Sequence, residues 1–131
     1  MLEARSKGKK YISGRQTNIL SPISSTIINA IKTLTKIPDD VDILSPNVLE
    51  PILKLKEQTL NFKETTLKLN EVLLALSITS ATNPVAREAL SKISELRNCQ
   101  LHATYLIPEA EARILNNLGI NATCDTEANI N

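Results

Sequence analysis

Two cysteines and one histidine are the residues of this chain best suited to nucleophilic or metal chemistry. Thiolate and imidazole groups bind zinc, but a structural zinc site takes four ligands. The chain offers Cys99, Cys124 and a single histidine, His102, and Asp125 would complete the set only through a bend after the last strand. Positions 99 and 102 of a strand also point to opposite faces, which argues against joint ligation. We therefore expect no metal site and assign the cysteines to the core as small hydrophobic residues.

A cysteine–histidine nucleophilic pair is the second chemistry that these residues allow. The same opposition of faces weakens the pairing of Cys99 with His102. Cys124 would meet His102 if their two strands are neighbours and the sides agree. The sequence has no Walker loop and no dinucleotide glycine motif. The catalytic residues, the cofactor and the question of whether the chain is an enzyme therefore stay open.

A third lead is the pair of predicted strands that run directly into helices opened by proline. Ile43-Leu44 precede Ser45-Pro46, and Leu106-Ile107 precede Pro108. Ligands bind beyond the carboxyl ends of parallel strands, and the amides of helix N-termini attract anions. If the strands are parallel neighbours, we expect an anion or ligand site at one shared edge. Its candidate residues are Ser45, Asn47, His102, Thr104 and Asp125. The alternative is that Ser45 only caps its helix and His102 only bonds a neighbouring carbonyl.

Five helices are predicted from apolar residues at helical spacing and from prolines that follow capping residues. Their starts are Ser21-Pro22, Ser45-Pro46, Asn70, Asn83-Pro84 and Pro108. Pro51 predicts a kink in the second helix, and Asn98 and Gly119 suit left-handed stops of the fourth and fifth. The third helix is apolar nearly all round, so we expect it to be the most buried.

The predicted strands are short and lie mainly towards the C-terminus. Residues 99–107 and 120–124 flank the last helix, and one helix of about ten residues between two strands favours a right-handed parallel crossover. Ile43 and Leu44 indicate a buried strand, and Tyr11-Ile12 indicate a weak one. The predicted fold is therefore α/β, with about five helices around a small, mostly parallel sheet.

Domain boundaries follow from composition. Residues 1–20 are basic and partly irregular, which indicates a solvated segment or, alternatively, a phosphate-contacting arm or the end of a linker. Residues 21–126 form a single α/β domain in this interpretation. Residues 127–131 are polar and are expected to be a disordered tail.

Composition excludes several classes of function. The chain has 131 residues, which fits one domain. Its net charge of +1 gives no strong field to attract DNA or an anionic membrane. Its 2% aromatic content offers no stacking platform for single-stranded nucleic acid. No apolar run reaches the roughly 18 residues of a membrane span, so we expect a soluble, cytoplasmic protein with reduced thiols and with neither nucleic acid nor membrane as a partner.

An ordered series of short motifs resembles one protein family. The motifs are Ile37-Pro38-Asp39-Asp40, Leu44-Ser45-Pro46-Asn47-Val48-Leu49-Glu50-Pro51, Ala75-Leu76-Ser77-Ile78, Ala81-Thr82-Asn83-Pro84, Cys99-Gln100-Leu101-His102 and Leu118-Gly119-Ile120-Asn121-Ala122-Thr123-Cys124. Over residues 12–126 the chain resembles the C-terminal region of the mostly bacterial family catalogued as domain of unknown function 1846. It departs from that family at Ser13-Gly14-Arg15, where relatives usually have a Thr-Gly-Lys-like step. Glu109 and Glu111 match the family's acidic pair only loosely.

The resemblance implies a helix-rich C-terminal domain or fragment of a larger protein. Its partner would be an N-terminal α/β region of the same protein, or one that is separately encoded. In the intact protein the chain would contribute one wall of a ligand or active-site cleft. The alternative is a non-catalytic packing or oligomerisation module, with a homo-oligomer as one outcome, because few acid–base residues lie near one another. The resemblance implies no particular reaction, ligand or cofactor.

Overall fold

The computed structural model describes residues 2–5 and 11–125. These residues form five α-helices and one sheet of four strands. The helices are α1 (Pro22–Thr35), α2 (Pro46–Lys54), α3 (Leu69–Ser80), α4 (Pro84–Ser91) and α5 (Glu109–Asn117). The strands are β1 (Leu2–Arg5), β2 (Tyr11–Gly14), β3 (Gln100–Ala103) and β4 (Asn121–Cys124). The predicted α/β class with five helices is confirmed, and the predicted tail 127–131 lies outside the described residues.

The sheet has the strand order β2-β1-β3-β4. Strands β3 and β4 are parallel and α5 connects them, which confirms the parallel pairing and the connecting helix of the predicted crossover. Strand β1 is antiparallel to both β2 and β3, so the N-terminal hairpin makes the whole sheet mixed. The parallel pairing predicted for the sheet is present between β3 and β4. There the connecting helix is long enough to return the chain to the end of the sheet at which β3 begins.

Strand β2 approaches α1 so closely that it requires a glycine. A Cβ atom on Gly14 would lie 2.5 Å from the backbone nitrogen of Thr26, which is too close for any side chain. The side-chain amide of Asn29 donates to the carbonyl oxygen of Ser13 at 3.0 Å and adds a second link. The weak strand predicted at Tyr11-Ile12 is thus present and lies against the first helix.

Helix α1 is the most buried of the five helices. Nine of its 14 residues are buried, and Ile23, Ile27 and Ile31 are at most 1% exposed. Each such side chain contributes about 1.5–3 kcal/mol on burial. Ser21 caps the helix as predicted, because its hydroxyl oxygen accepts from the amide of Ser24 at 3.2 Å.

Helix α3 was expected to be the most buried helix, and that prediction is wrong. Val72, Ala75 and Leu76 have no exposed surface, whereas Leu74 is 61% and Ile78 is 57% exposed. The helix packs mainly against α4 and also touches α1, α2 and α5, and the side that carries Leu74 and Ile78 has no covering element among the described residues. Apolar residues on every side show which faces a helix could bury. The number of helices and strands that pack against it decides which faces are buried.

The segment 41–45 is not a strand. Ile43 and Leu44 are buried as expected, but their backbone is irregular and pairs with no strand among the described residues. The Ser45 amide donates instead to the hydroxyl oxygen of Thr79 at 3.2 Å, which ties the segment to α3. A short apolar run fits a strand and a buried loop equally well, so its pattern alone did not separate the two.

Helix α2 continues through Pro51 for three more residues. The predicted interruption lies later, as a π-helical turn at Leu55–Thr59. Within this turn Lys56 is buried, and its ammonium donates to the Thr66 carbonyl oxygen at 2.8 Å and to Glu71 Oε1 at 2.7 Å. These bonds hold the loop before α3 against the body of the domain.

The stop predicted at Gly119 is confirmed, whereas Asn98 is left-handed but lies seven residues beyond the end of α4. Asn98 and Gly119 have the left-handed φ values of 71° and 79°. Helix α4 ends at Ser91 and is followed by a 3₁₀ turn at Ile93–Leu96.

Strand β3 is shorter than predicted. It ends at Ala103 instead of residue 107, because the chain bends at residues 104–105. No described helix has the length and apolar content to cross a membrane.

Candidate functional site

Glu111 has the only buried carboxylate among the described residues. It is 1% exposed and lies in the first turn of α5, four residues before the buried Leu115. Its Oε2 atom accepts one hydrogen bond from Ser21 Oγ and one from the backbone amide of Leu69, both at 3.0 Å. Glu111 therefore links segments that lie far apart in sequence.

The N-termini of three helices meet at this carboxylate. Ser21 caps α1, Leu69 is the first residue of α3, and Glu111 belongs to the first turn of α5. Lys68, which precedes α3 in place of the predicted cap Asn70, has no acceptor in its side chain. Glu111 supplies an acceptor for the free amide of Leu69 at this helix start. A negative charge near helix N-termini is also favourable. This position explains how a carboxylate is buried here without a cation beside it.

Proton counting shows that Ser21 can serve Glu111. The Ser24 hydroxyl donates its one proton to the Leu67 carbonyl oxygen at 2.9 Å. The Ser24 amide donates to Ser21 Oγ at 3.2 Å, so Ser21 keeps its own proton to donate. Ser21 Oγ lies 2.9 Å from Ser24 Oγ and 3.0 Å from Glu111 Oε2, and hydrogen bonds to an ionised acceptor are the stronger ones.

A polar pocket of about 500 Å³ opens beside these groups, and we call it the Glu111 pocket. Its lining residues come from the starts of α1, α3 and α5, from the bend after β3, and from the loops that contain Gln16 and Glu64. They are Gln16, Ser21, Pro22, Glu64, Lys68, Tyr105, Leu106, Pro108 and Glu111. The second carboxylate oxygen of Glu111, Oε1, has no hydrogen-bond partner among the described residues. The pocket thus borders a carboxylate of which one oxygen accepts no hydrogen bond from the described residues.

Tyr105 brings a hydrogen-bond donor to the same pocket. Its hydroxyl oxygen is buried and has no hydrogen-bond partner among the described residues. Burial, and after it the negative charge of Glu111, raises the pKa of Tyr105 to about 12. The backbone amide of Ile23 opposes this shift, although it is not aligned for a hydrogen bond by distance and angle. At neutral pH the phenol is therefore protonated and can donate.

The charges around the Glu111 pocket do not favour an anion. Lys68 is the only cation that lines it, and its ammonium lies 3.3 Å from Glu64 Oε1. Hydrogen bonds from Thr66 and Lys68, followed by the charge of Lys68, lower the pKa of Glu64 below its ordinary value. Two carboxylates therefore face one ammonium that is already paired, and the arrangement suits a ligand group that donates hydrogen bonds.

The two helix starts expected to share one site line different pockets. Pro108 borders the Glu111 pocket, whereas Pro46 borders a separate groove beside α1 and α2. Ser45 accepts from the Asn47 amide at 3.3 Å, which is a capping bond, and Asn47 is exposed. The expected shared edge required Ile43-Leu44 to be a strand next to β3, and the irregular backbone there removes that condition.

Two of the predicted residues, His102 and Asp125, do come together. Nε2 of His102 lies 2.7 Å from Asp125 Oδ1, and Nδ1 lies 2.7 Å from Thr123 Oγ1. His102 and Thr123 are register partners on β3 and β4, which explains the contact. The side chains of His102 and Asp125 are 46% and 55% exposed, and Thr104 is exposed one residue beyond β3. None of these residues lines the Glu111 pocket.

The cysteines lie on the other side of the sheet. Cys99 is buried while His102 is exposed, so the predicted opposition of faces is confirmed. Cys124 is half-buried and packs against the core. In the described part of the chain, no three His, Cys, Asp or Glu residues lie close enough together to hold a metal ion.

Sequence reasoning did not select Glu111 or Tyr105 as site residues. One signal was available for Glu111, which precedes the inward-facing Leu115 by four residues and so shares its helix face. A carboxylate on an inward face predicts a buried acceptor that needs donors. Alternation along residues 99–107 gave a weaker signal for Tyr105, because it places Tyr105 on the same face as the buried Leu101 and Ala103.

The comparison with protein families settles the relationship of the chain. Residues 5–130 match the model described as domain of unknown function DUF1846, C-terminal. The chain belongs to this family. The resemblance inferred from the ordered motifs is thereby confirmed.

The relatives are UPF0371 proteins of bacteria. One from Clostridium botulinum (strain Eklund 17B / Type B) is 46% identical over 116 residues, which is 88% of this chain and 23% of the relative. One from Fusobacterium nucleatum is 42% identical over 116 residues, with the same two shares. One from Clostridium tetani is 42% identical over 118 residues, which is 90% of this chain and 24% of the relative. This DUF1846 domain thus spans about a quarter of the length of the relatives it matches.

Proposed function

We propose that this DUF1846 domain forms one wall of a ligand-binding cleft in the intact protein, with the Glu111 pocket as the ligand-facing part. The observation that carries the proposal is that only one of the two carboxylate oxygens of Glu111 is hydrogen-bonded to a described residue. Oε2 accepts from Ser21 and Leu69, while Oε1 has no partner among the described residues and Glu111 borders the pocket. A carboxylate oxygen can accept hydrogen bonds, so Oε1 beside the pocket can accept from a donor of a ligand. The Tyr105 hydroxyl is the buried polar side-chain atom that has no partner among the described residues, and an acceptor on the ligand would offset the free-energy cost of its burial.

The groups that line the pocket define the class of ligand. Glu111 accepts hydrogen bonds, and the protonated hydroxyl of Tyr105 donates one. The buried carboxylate of Glu111 borders the pocket, and Lys68 is already paired with Glu64, which together disfavour phosphate and sulfate. We therefore infer a neutral or cationic polar molecule with an N–H or O–H group for Glu111 and an acceptor for Tyr105. This class replaces the anion that was expected from helix starts alone.

The cleft needs a second wall that this chain does not supply. The match to this chain covers 23% of the Clostridium botulinum relative, so most of that protein lies outside the matched region. The pocket is an open polar concavity, and clefts between domains are a common place for small ligands. A facing domain would supply the remaining contacts and exclude water.

Nuclear magnetic resonance can test the pocket directly, because the Leu69 amide bonds to Glu111. The ¹⁵N-labelled chain would be titrated with guanidinium chloride, methylammonium chloride, glycerol and sodium phosphate. We expect the cations or glycerol to shift the Leu69 signal, and phosphate to leave it in place. The Glu111→Gln variant should abolish the shift. Glu109→Gln is the matched control, because Glu109 is exposed and pairs with Arg113 on the surface.

Two outcomes would contradict the proposal. The first is a Leu69 signal that responds to phosphate and to none of the donors. The second is an equal response in Glu111→Gln and in the wild-type chain, which would show that the probes bind elsewhere. Sodium chloride at matched ionic strength separates these effects from general screening of surface charge.

A packing or oligomerisation role is the second candidate, and one surface favours it. Leu74 and Ile78 lie one turn apart on α3 and are more than half exposed, and Val85 of the neighbouring α4 is 37% exposed. Contiguous exposed apolar side chains usually mark an interface. The occupant would be the remainder of the protein or a second copy of this chain.

A further inference from the structure

A groove of about 460 Å³ runs between α1 and α2, and its walls are mainly aliphatic. The side chains that form these walls are Ile19, Ile28, Ile43, Leu49 and Leu53. Its volume lies in the range of roughly 300–1,000 Å³ that is usual for small-ligand pockets. The groove shares no lining residue with the Glu111 pocket, so the two sites can be tested separately.

Lys32 is a buried cation in the lining of this groove. It is 8% exposed, and its ammonium donates to the carbonyl oxygen of Asp39 at 3.1 Å. An ammonium carries three donors, and Lys32 forms neither an ion pair nor a second hydrogen bond with any described residue. Two of its donors are therefore available to a ligand.

Lys56 shows what a fully partnered buried lysine looks like in this fold. It is 4% exposed, and its ammonium contacts both the Thr66 carbonyl oxygen and the Glu71 carboxylate. Buried charges are normally paired, since removal from water without a counter-charge is costly. Lys32 is also buried, although slightly less so, and it has no carboxylate partner among the described residues, while the groove beside it has the space for one.

We propose that this groove binds a small aliphatic carboxylic acid, with the carboxylate on Lys32 and the hydrocarbon chain along the isoleucine and leucine walls. The positive charge of Lys32 favours an anionic head group, and the aliphatic walls favour a hydrocarbon tail. Each additional buried methylene should tighten binding about fourfold, until the groove is filled.

The rim of the groove limits the ligand to one charged end. Asp42, Glu50 and Glu57 line the outer part and are exposed, and Lys54 pairs with Glu50 at 3.6 Å. Their fields are screened by water, so they weaken the attraction of a buried cation only slightly. They would repel a second carboxylate, so a monocarboxylate should bind better than a dicarboxylate of the same length.

Sodium octanoate is the first probe, with octan-1-ol, octylammonium chloride and suberate as comparisons, and with calorimetry and amide shifts as readouts. We expect octanoate to bind more tightly than each comparison and to shift the amides of Ile28, Ile43 and Leu49. Lys32→Met keeps an apolar stem and should weaken octanoate binding at least tenfold, while octan-1-ol binding stays unchanged. Lys54→Met is the control, because it removes an exposed lysine from the same groove, and it should bind octanoate as the wild-type chain does.

A second variant keeps the test decisive if Lys32→Met does not fold. Leu53→Phe enlarges a side chain on the opposite wall, leaves Lys32 in place and should reduce octanoate binding by filling the groove. Equal octanoate binding by Lys32→Met and the wild-type chain would overturn the proposal. Amide shifts confined to the exposed face around Leu74 and Ile78 would overturn it too, since they would show adsorption to another apolar surface.

Discussion

The backbone amide of Leu69 donates a 3.0 Å hydrogen bond to the carboxylate of Glu111, across 42 positions of sequence. The same oxygen accepts from Ser21, which is 90 positions away. One side chain thereby satisfies the starts of helices that the chain forms at quite different points. The Glu111 pocket is bordered by this junction, so the stability of the domain and the shape of its candidate site are coupled.

Replacement of Glu111 should destabilise the domain. Glu111→Gln removes the charge from a carboxylate that accepts two buried hydrogen bonds, and we expect the free energy of unfolding to fall by about 1–3 kcal/mol. Glu109→Gln changes an exposed residue and should stay within about 0.5 kcal/mol of the wild-type value. Urea titration followed by circular dichroism measures both.

A double-mutant cycle tests whether Ser21 and Glu111 act together. Ser21→Ala removes a helix cap and one donor to Glu111, at a cost of about 1–2 kcal/mol. The double variant should lose less than the sum of the single losses, with a coupling energy of about 0.5–3 kcal/mol. Strict additivity would show that the 3.0 Å contact carries no coupling.

Tyr105 should make the domain less stable at alkaline pH. Its folded pKa is raised to about 12 from 10.0, so the unfolded chain releases the phenolic proton first. The free energy of unfolding does not depend on this group below about pH 10, and it falls as the pH rises from there towards 12. Tyr105→Phe should remove this part of the pH dependence. It should leave stability at neutral pH unchanged or higher, because the hydroxyl has no hydrogen-bond partner among the described residues.

Phenolate absorbance provides the direct measurement for Tyr105. The chain has two tyrosines, so Tyr11→Phe leaves Tyr105 as the only titrating phenol. We expect its midpoint near 12 in the folded protein, and a return towards the ordinary value in urea. A midpoint near 10 in the folded state would contradict the burial of the hydroxyl.

Two leucines of α3 provide a matched pair for core packing. Leu76 has no exposed surface, whereas Leu74 is 61% exposed. Leu76→Ala should lower the free energy of unfolding by about 2–5 kcal/mol, and Leu74→Ala by less than about 0.5 kcal/mol. Similar losses at both positions in urea titrations would mean that α3 is covered on both sides.

The exposed face of α3 should promote association of the chain. Leu74→Glu together with Ile78→Glu places two charges on that face and should abolish any concentration-dependent sedimentation shown by the wild-type chain. Leu55→Glu is the comparison, because Leu55 is 49% exposed but belongs to the π-helical turn. Wild-type sedimentation as a monomer at every concentration would count against a second copy as the occupant.

Local chemistry explains why many elements were predictable. The Ser21-Pro22 and Asn83-Pro84 helix starts and the left-handed stop at Gly119 all appear in the structure. Each depends on groups within about one helical turn, such as a side-chain oxygen that accepts a free amide. The β3-α5-β4 crossover was predictable too, because the short connecting helix leaves few ways to return the chain.

The candidate site was predictable only in part. His102 and Asp125 lie in contact as members of one predicted set, since the parallel register of β3 and β4 places them together. Ser45 and Asn47 do not join them, because the residues before Ser45 form no strand of the sheet. Tyr105 was not selected, because strand alternation places it on the face of Leu101 and Ala103 but does not indicate that it borders a pocket.

The sequence by itself determined where α1, α2, α4 and α5 begin, that the last two strands are parallel, and which family the chain resembles. Those properties depend on neighbours in the chain and on short connections. The tertiary structure alone decided that α1 and not α3 is the most buried helix, that Ile43-Leu44 pack without pairing, and that Glu111 lies under three helix starts. These outcomes depend on contacts between residues 42 or 90 positions apart, and such contacts form only when the burial of all elements is satisfied at once.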